Sequence, residues 1–219
     1  MSKGASDKAK PAKGKAKKGQ AVRKAAKKVE QVDVELTHAA AQARNTPVMR
    51  AIGFVAELAD QPPLIAASVG TFAIGLATGR RDLARGGARM LASHLLATGA
   101  KLVIKNRIAR TRPSAALDKG ERRFELDDAG EHDETSFPSG HTAGAVAVAM
   151  AASRDIDGVA APAAAATAMV AASQPPAGNH YLLDVVAGGA IGWAAEAVVS
   201  AVFDRLEPKV EAAMEQAVR

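Results

Sequence analysis

Residues 137–153 read FPSGHTAGAVAVAMAAS, and this stretch decides how the chain folds. A Pro-Ser-Gly turn comes first, and apolar residues then follow up to Ser153 with no formal charge among them. The stretch predicts an apolar helix with Ser139, Gly140 and His141 at its start. Backbone N–H groups at the start of a helix are unpaired and bind anions, and a glycine there lets an anion approach the chain closely.

Apolar runs of similar character lie on both sides of this helix, and no strand pattern of any length separates them. These runs cover Pro63–Gly79, Met90–Ile104, Gly158–Ser173 and about His180–Phe203. A polar connection, Ser114–Phe137, interrupts them. Most of the runs are at or somewhat below the length of about 20 apolar residues that a membrane helix needs. We therefore predict an all-α fold, a membrane-embedded bundle of five or six helices.

The rest of the chain is predicted to consist of tails and a linking helix around this bundle. Residues 1–30 hold 11 Lys and Arg against two acids, which gives a net charge of +9 (11 − 2). Residues 1–33 have too little apolar surface to fold alone, so we predict a disordered basic tail. Residues 34–60 are predicted to form an amphipathic or first membrane helix, 61–204 the bundle, and 205–219 an amphipathic C-terminal tail.

The composition excludes one kind of chemistry and argues against one kind of partner. The chain has no cysteine, which excludes disulfides and thiol chemistry. No aromatic residue lies among the lysines of the tail to stack on bases, so no nucleic acid is expected as a partner. The tail either lies on an anionic membrane surface, where each basic residue adds about 1 kcal/mol, or remains solvated.

The string KNRIARTRP, residues 105–113, follows an apolar helix and carries two cations suited to an anionic ligand. Arg112 offers a planar fork of donors that matches phosphate oxygens, and Lys105 adds a compact point charge. Together with the helix start at Ser139 and Gly140, these side chains form a set of groups that can hold a phosphate.

The string SQPPAGNHYLLDV, residues 173–185, supplies groups that can attack such a phosphate. His180 and Asp184 are four residues apart, so a helix puts them on one face. A carboxylate in that position can hold one ring nitrogen of His180 and leave the other free to attack phosphorus. His141 is then available as the general acid for the leaving oxygen.

Taken together, the three strings resemble the type 2 phosphatidic acid phosphatase superfamily. The family pattern is K-x6-RP, then PSGH, then SR-x5-H-x3-D, and the resemblance covers roughly residues 60–203. The superfamily also includes bacterial lipid-diphosphate phosphatases and vanadium haloperoxidases. The first two strings match completely, whereas in the third Gln174 stands where the family has arginine.

The resemblance implies a role for each matching residue. It makes His141 the general acid and His180 the nucleophile, which Asp184 aligns, and it implies no metal and no other cofactor. The groups that bind the phosphate are implied to be Lys105, Arg112, Ser139 and Gly140, with Gln174 at the arginine position.

The function implied is that of a membrane phosphatase that hydrolyses a lipid phosphate or diphosphate through a phosphohistidine intermediate. Candidate substrates by the resemblance are undecaprenyl diphosphate, phosphatidic acid and phosphatidylglycerol phosphate. Two alternatives remain open. One is a soluble relative, an acid phosphatase or a haloperoxidase. The other is a catalytically weakened membrane protein that binds a lipid phosphate, because Gln174 carries no charge against the transferring group.

The order of the apolar runs predicts the side of the membrane on which the site lies. One full hairpin separates each string from the next, so all three strings fall on one side. The segment Arg80–Arg89, with four arginines and one aspartate, is predicted to be a loop on the other side. Positively charged loops stay in the cytoplasm, so the site is predicted on the periplasmic face of the cytoplasmic membrane. Glu196, in the last apolar run, should face the bundle or a neighbour, because a lipid-facing charge is costly.

Overall fold

The computed structural model describes residues 12–127 and 132–218, and helices make up most of them. The helices are α1 Ala12–Ala41, α2 Pro47–Ala56, α3 Gln61–Thr78, α4 Arg81–Lys105, α5 Pro113–Lys119, α6 Gly140–Asp155, α7 Ala160–Ser173 and α8 Leu182–Val218. Short 3-10 turns cover Glu57–Ala59 and His132–Glu134. The all-α class predicted from the sequence is confirmed, with one addition. Two strands of two residues each pair antiparallel: β1 (Ala109–Arg110), just before the polar connection, and β2 (Phe124–Glu125), inside it.

Helices α4 and α6 lie at the centre of the bundle. α4 packs against α3, α6 and α8, and α6 packs against α4, α7 and α8. Two glycines of α8 allow it to approach α6 closely. A Cβ added to Gly188 would lie 2.4 Å from the carbonyl oxygen of Ser139, and one added to Gly192 would lie 2.3 Å from that of Ala143. This close packing brings the start of α8 next to the start of α6.

The core is built largely from alanine, and large apolar side chains lie outside. Ala97, Ala147 and Ala195 come from α4, α6 and α8 and form one buried cluster, against which Ile191 packs. Short side chains let helix backbones approach one another closely. The bundle leaves exposed a set of large apolar side chains on its helices: Val69, Phe72, Leu96, Val103, Val186, Trp193 and Val198.

The structure differs from the predicted disordered tail. Residues 12–33 belong to α1, whereas residues 1–11 lie outside the described residues. α1 is held against the bundle near its C-terminal end, where Asp33 and Thr37 are buried. Their side chains accept hydrogen bonds from the backbone N–H groups of Leu183 and Leu182. The local composition does not predict this helix, because contacts to a distant part of the chain stabilise it.

The segment 34–60 forms several elements instead of one helix. α1 ends at Ala41, and α2 begins after Thr46. The Thr46 hydroxyl accepts a hydrogen bond from the Met49 N–H at 3.2 Å, as expected of a residue at a helix start. The chain therefore breaks before Pro47, and the single helix predicted for this segment is not formed.

Two further boundaries differ from the predictions. The predicted loop Arg80–Arg89 is wrong from Arg81 onward, because α4 begins there. Arg89 is buried and pairs with Asp155, so part of the positive charge of this segment is compensated inside the fold. At the other end of the chain, α8 continues through residues 205–218, which were predicted to form a separate tail.

One helix among the described residues, Leu182–Leu206 within α8, is long and apolar enough to cross a membrane. That property rests on length and composition, and the core helix of a soluble protein can share it. Glu196 lies in this segment, is fully buried and pairs with Arg154 of α6. The expectation that Glu196 faces the bundle is thus confirmed. The number of helices that cross a membrane stays a prediction.

Candidate active site

The three strings meet at one end of the bundle, around a cavity of about 330 Å³. The cavity lies where α4 ends, where α6 begins and beside the loop that leads from α7 to α8. Six of the eight site residues predicted from the sequence line it: Lys105, Arg112, Gly140, His141, Gln174 and His180. The other two, Ser139 and Asp184, are fully buried behind these residues.

A short stretch of chain before α6 orients the two predicted cations. Lys105 Nζ donates to the carbonyl oxygen of Thr135 at 2.6 Å, and Arg112 Nε donates to that of His132 at 3.2 Å. Among residues 12–127 and 132–218, no carboxylate forms an ion pair with either cation. Their charges therefore remain available to an anion in the cavity, as phosphate binding requires.

The start of α6 contributes backbone and not the Ser139 hydroxyl. Ser139 Oγ lies 3.0 Å from Thr142 Oγ1 and accepts from the Thr142 N–H at 3.4 Å, so it caps the helix. This correction leaves Gly140 and His141 as the residues of the PSGH string that reach the cavity. The unpaired N–H groups of the first turn remain suited to an anion.

A third cation, which the sequence reasoning missed, lies beside this helix start. Lys101 lines the cavity, and a Cβ added to Gly140 would lie only 2.9 Å from Lys101 Nζ. A side chain at this position would displace the flexible end of Lys101, so the lysine ammonium group lies directly against Gly140. The signal was present in the sequence, since Lys101 precedes Lys105 by one helical turn and shares its face.

The two histidines face each other across the cavity. Their ring centroids are 6.5 Å apart, and the rings are tilted edge to face. His180 Nδ1 lies 2.6 Å from the carbonyl oxygen of Ser136. A carbonyl oxygen can only accept, so Nδ1 carries the proton and Nε2 keeps a lone pair. This tautomer is the one that a nucleophile acting through Nε2 needs.

The hydrogen bond predicted between Asp184 and His180 is not formed. His180 precedes α8, so the two residues do not share a helical face, and Asp184 Oδ2 is 3.9 Å from His180 Nδ1. Asp184 Oδ2 instead accepts from the Ser136 hydroxyl at 2.6 Å, while Oδ1 accepts from Arg110. Asp184 is thus linked to His180 through Ser136, which the sequence reasoning missed together with Arg110.

The surroundings of His180 favour its neutral form. Burial is the main cause that lowers the pKa of His180 well below its ordinary value of 6.5, and the positive charges of Arg112 and Lys105 lower it further. Because a protonated imidazole has no lone pair, this shift keeps the group able to attack near neutral pH.

Gln174 lines the cavity but uses its donors elsewhere. Its Nε2 donates to the Val170 carbonyl oxygen at 3.1 Å and to Ser173 Oγ at 3.2 Å. Its Oε1 is buried without a hydrogen-bond partner among the described residues. In this arrangement the amide holds the end of α7 in place and does not offer a donor to the cavity.

Half-buried cations, a helix start and two histidines surround one cavity of this helical protein, and such a site is suited to phosphate. Within the described residues, no group of three His, Asp or Glu side chains converges that could hold a metal ion. The family model of the PAP2 superfamily matches residues 86–208, and the chain therefore belongs to that superfamily.

Two solved structures share this fold. The crystal structure of LpxE from Aquifex aeolicus is 19% identical with a TM-score of 0.57, and the match covers 75% of this chain and 92% of that one. The first transmembrane PAP2-type phosphatidylglycerolphosphate phosphatase from Bacillus subtilis is also 19% identical, with a TM-score of 0.58, and the match covers 81% of this chain and 87% of that one. No curated protein matches the chain.

Proposed function

We propose that this protein is a membrane phosphatase that hydrolyses a lipid phosphate or diphosphate through a phosphohistidine on His180. One observation carries the proposal. The rings of His141 and His180 lie 6.5 Å apart in the same cavity as Lys105 and Arg112. A phosphate held by the two cations lies between a neutral imidazole that can attack it and a second imidazole that can protonate its leaving group.

In the first step, His180 Nε2 attacks phosphorus and forms a P–N bond. The bond from phosphorus to the leaving oxygen breaks, and His141 transfers its proton to that oxygen. The leaving group is the lipid alcohol for a monophosphate and the lipid monophosphate for a diphosphate. The Ser136 carbonyl accepts the hydrogen bond from Nδ1 throughout and stabilises the positive charge that develops on the ring. Lys105 and Arg112 stabilise the negative charge on the phosphoryl oxygens.

In the second step, water replaces the histidine. His141 is now neutral and removes a proton from a water molecule, whose oxygen bonds to phosphorus as the P–N bond breaks. Inorganic phosphate leaves, His180 recovers its lone pair, and His141 is again protonated for the next cycle. Lys101, beside Gly140, adds a third charge to this cavity.

A second cavity supports a substrate with a long apolar chain. It measures about 260 Å³ and lies between α2, α6 and α7, where alanine, valine, leucine and methionine side chains line it. Ala56 lines both cavities, so the apolar cavity adjoins the polar one. A lipid can place its phosphate among the cations and the start of its chain in the apolar cavity.

The exposed surface of the bundle supports placement in a membrane. Val103 of α4, together with Val186 and Trp193 of α8, is more than half exposed although each side chain is large and apolar. Soluble proteins rarely expose wide apolar patches without a partner, and lipid is the partner that fits a helical bundle. We further propose that the bundle crosses the cytoplasmic membrane several times with the site on the periplasmic face.

The chain offers a direct test of this orientation because it has no native cysteine. Glu121 near the site and Asp157 at the opposite end are both exposed. In intact cells, a membrane-impermeant maleimide should label Glu121→Cys and should leave Asp157→Cys unlabelled until the cells are lysed. The reverse pattern would place the site in the cytoplasm.

The catalytic proposal is tested by phosphate release from lipid phosphates by the detergent-purified protein. We expect turnover that survives EDTA, is inhibited by vanadate and disappears in His180→Ala. His141→Ala should lose more activity on alkyl phosphates than on aryl phosphates, whose better leaving groups need less protonation. Activity that is lost in EDTA and restored by a divalent metal would overturn the metal-free mechanism.

Two other functions are alternatives to this proposal, and experiments on the same expressed protein distinguish them from it. A soluble acid phosphatase or haloperoxidase relative would leave membranes on washing with salt alone. A lipid-phosphate-binding protein without turnover would bind the lipid but release no phosphate, and Gln174 is the feature that favours it. Phosphate release by the wild-type protein at more than the rate of His180→Ala would exclude the binding protein.

A further inference from the structure

The first turn of α8, which follows the nucleophile His180, is completed by another part of the chain. Tyr181 occupies the position before this helix, where its side chain cannot accept from the first amides as serine or aspartate does. Asp184 Oδ2 reaches back to accept from the Tyr181 N–H at 2.8 Å, which is the acidic half of a capping box. The other half is missing from the local sequence.

Helix α1 supplies that missing half. Asp33 Oδ1 accepts from the Leu183 N–H at 3.1 Å, and Thr37 Oγ1 lies 3.4 Å from the Leu182 N–H. Asp33 is 4% exposed and Thr37 is fully buried, although the N-terminal segment is otherwise rich in lysine. A buried carboxylate needs partners that compensate its charge, and the start of α8 bonds to only one of the two Asp33 oxygens.

Arg110 provides the rest and joins α1 to the catalytic residues. Its Nη2 donates to Asp33 Oδ2 at 2.8 Å, and its Nη1 donates to Asp184 Oδ1. The guanidinium is 2% exposed, and the rings of Tyr181 and Phe124 lie 4.1 and 4.5 Å from it. One arginine is thus held rigidly between a carboxylate of α1 and a carboxylate of α8.

The chain of contacts ends at the nucleophile. Asp184 accepts from the Ser136 hydroxyl at 2.6 Å, and the Ser136 carbonyl oxygen lies 2.6 Å from His180 Nδ1. A shift of Arg110 therefore moves Asp184, then Ser136, and then the ring that attacks phosphorus. A small misplacement of a reacting group lowers the rate of a reaction strongly.

We propose that α1 is a positioning element of the active site and that Asp33 is its positioning residue. It acts through Arg110 and Asp184 to hold the tautomer and direction of His180, and it touches no substrate. Residues 86–208 match the family, so this part of the site is built by a segment outside the matched region. The inference rests on the proposed phosphatase function for its effect on turnover.

The test uses point variants of the full chain in detergent. Asp33→Asn keeps the size of the side chain but lacks the charge and one acceptor, so it cannot satisfy both Arg110 and Leu183. We expect kcat to fall about tenfold or more with KM changed less than about twofold, since the phosphate-binding cations are untouched. Asp33→Glu keeps both acceptors and should recover part of kcat.

The matched control is Glu30→Gln, on the same helix one turn earlier. The ion pair between Glu30 and Arg122 is weak, because the two groups are 3.7 Å apart and both are partly exposed. Loss of the Glu30 charge should therefore leave kcat and KM unchanged. Rates are expressed per site that binds vanadate, which corrects for misfolded protein. An unchanged kcat per vanadate-binding site in Asp33→Asn would overturn the proposal, because a merely structural role lowers only the number of sites.

A second measurement does not depend on turnover. Amide hydrogen exchange at residues 181–186 should speed up at least tenfold in Asp33→Asn and should stay at the wild-type rate in Glu30→Gln. If the wild-type protein releases no phosphate, the proposed function fails. The rate of amide exchange at residues 181–186 then still tests whether α1 holds the start of α8 in place. Equal exchange in the wild type and in Asp33→Asn would refute the positioning role in either case.

Discussion

Both ends of the bundle contain charged groups that are at least partly buried, but the partners of these groups differ. At the end far from the cavity, Arg154 pairs with Glu196, which is fully buried and also accepts from a serine hydroxyl. At the cavity end, Lys105 and Arg112 donate to backbone carbonyl oxygens, and no carboxylate in the described part of the chain pairs with them.

This difference separates charge that stabilises the fold from charge that serves a ligand. A paired charge is compensated within the protein, and removing one partner leaves the other buried and unpaired. An unpaired cation repels its neighbours in the empty protein and gains its compensation only when an anion binds. The cavity end should therefore lose activity when its cations are removed, and the far end should lose stability.

Removal of Arg112 should have the largest effect. A charge-assisted hydrogen bond contributes about 1.5–3 kcal/mol, so the loss of two bonds to a phosphoryl group should lower kcat/KM about 10²–10⁴-fold. Arg112→Met should do this without lowering the free energy of unfolding, because it also removes repulsion from Lys105. The measurements are phosphate release and chemical unfolding in detergent.

The control for Arg112 is Arg107→Met, in the same string. Arg107 is exposed and does not line the cavity, so neither rate nor stability should change. A similar loss of rate in both variants would mean that general positive charge, and not the site, is responsible.

At the far end, Arg154→Met should destabilise the protein. It leaves the Glu196 carboxylate buried without a cation, and breaking such a pair costs about 3–5 kcal/mol, with the low end expected because Arg154 is half exposed. The kcat/KM of the folded fraction should stay at the wild-type value. Adding Glu196→Gln should restore most of the stability, and failure of that rescue would show that the pair does not act as a unit.

The third prediction concerns Lys101 and Gln174, which face the same cavity. Lys101→Met should lower kcat/KM about tenfold by removing one charge-assisted contact. Gln174→Arg should raise it about tenfold where the pocket admits the longer side chain, and should compensate for Lys101→Met in the double variant. A double variant no faster than Lys101→Met alone would show that an arginine at position 174 does not take over the contact of Lys101 with the phosphate.

The smallest expected effect is on the pH dependence of stability. His180 has a pKa lowered by burial first and by Arg112 and Lys105 second, so the unfolded chain binds its proton at higher pH than the folded chain. The contribution of His180 is therefore complete above pH 6.5 and is lost as the pH falls toward the folded pKa. Unfolding in urea at several pH values should show this slope, and His180→Asn should reduce it.

The sequence by itself determined the helical class, most of the apolar helices and six of the residues that line the cavity. Apolar runs and the Pro-Ser-Gly turn are local signals, and local hydrogen bonding and burial produce the helices that they predict. The spacing of the three strings along alternating helices also placed them at one end, since each hairpin returns the chain to the same side.

Only the tertiary structure decided how the site is held together. The His180 ring bonds to a carbonyl 44 residues away instead of to the carboxylate four residues on, because His180 precedes α8. Arg110 bridges carboxylates that are 77 and 74 residues from it in the sequence. No local pattern marks such partners, since each contact forms only when distant segments pack together, and the exclusion of water there strengthens the hydrogen bond between the two groups. The contacts of Asp33 in α1 with Arg110 and Leu183 are of the same long-range kind, and the local composition of the tail does not indicate them.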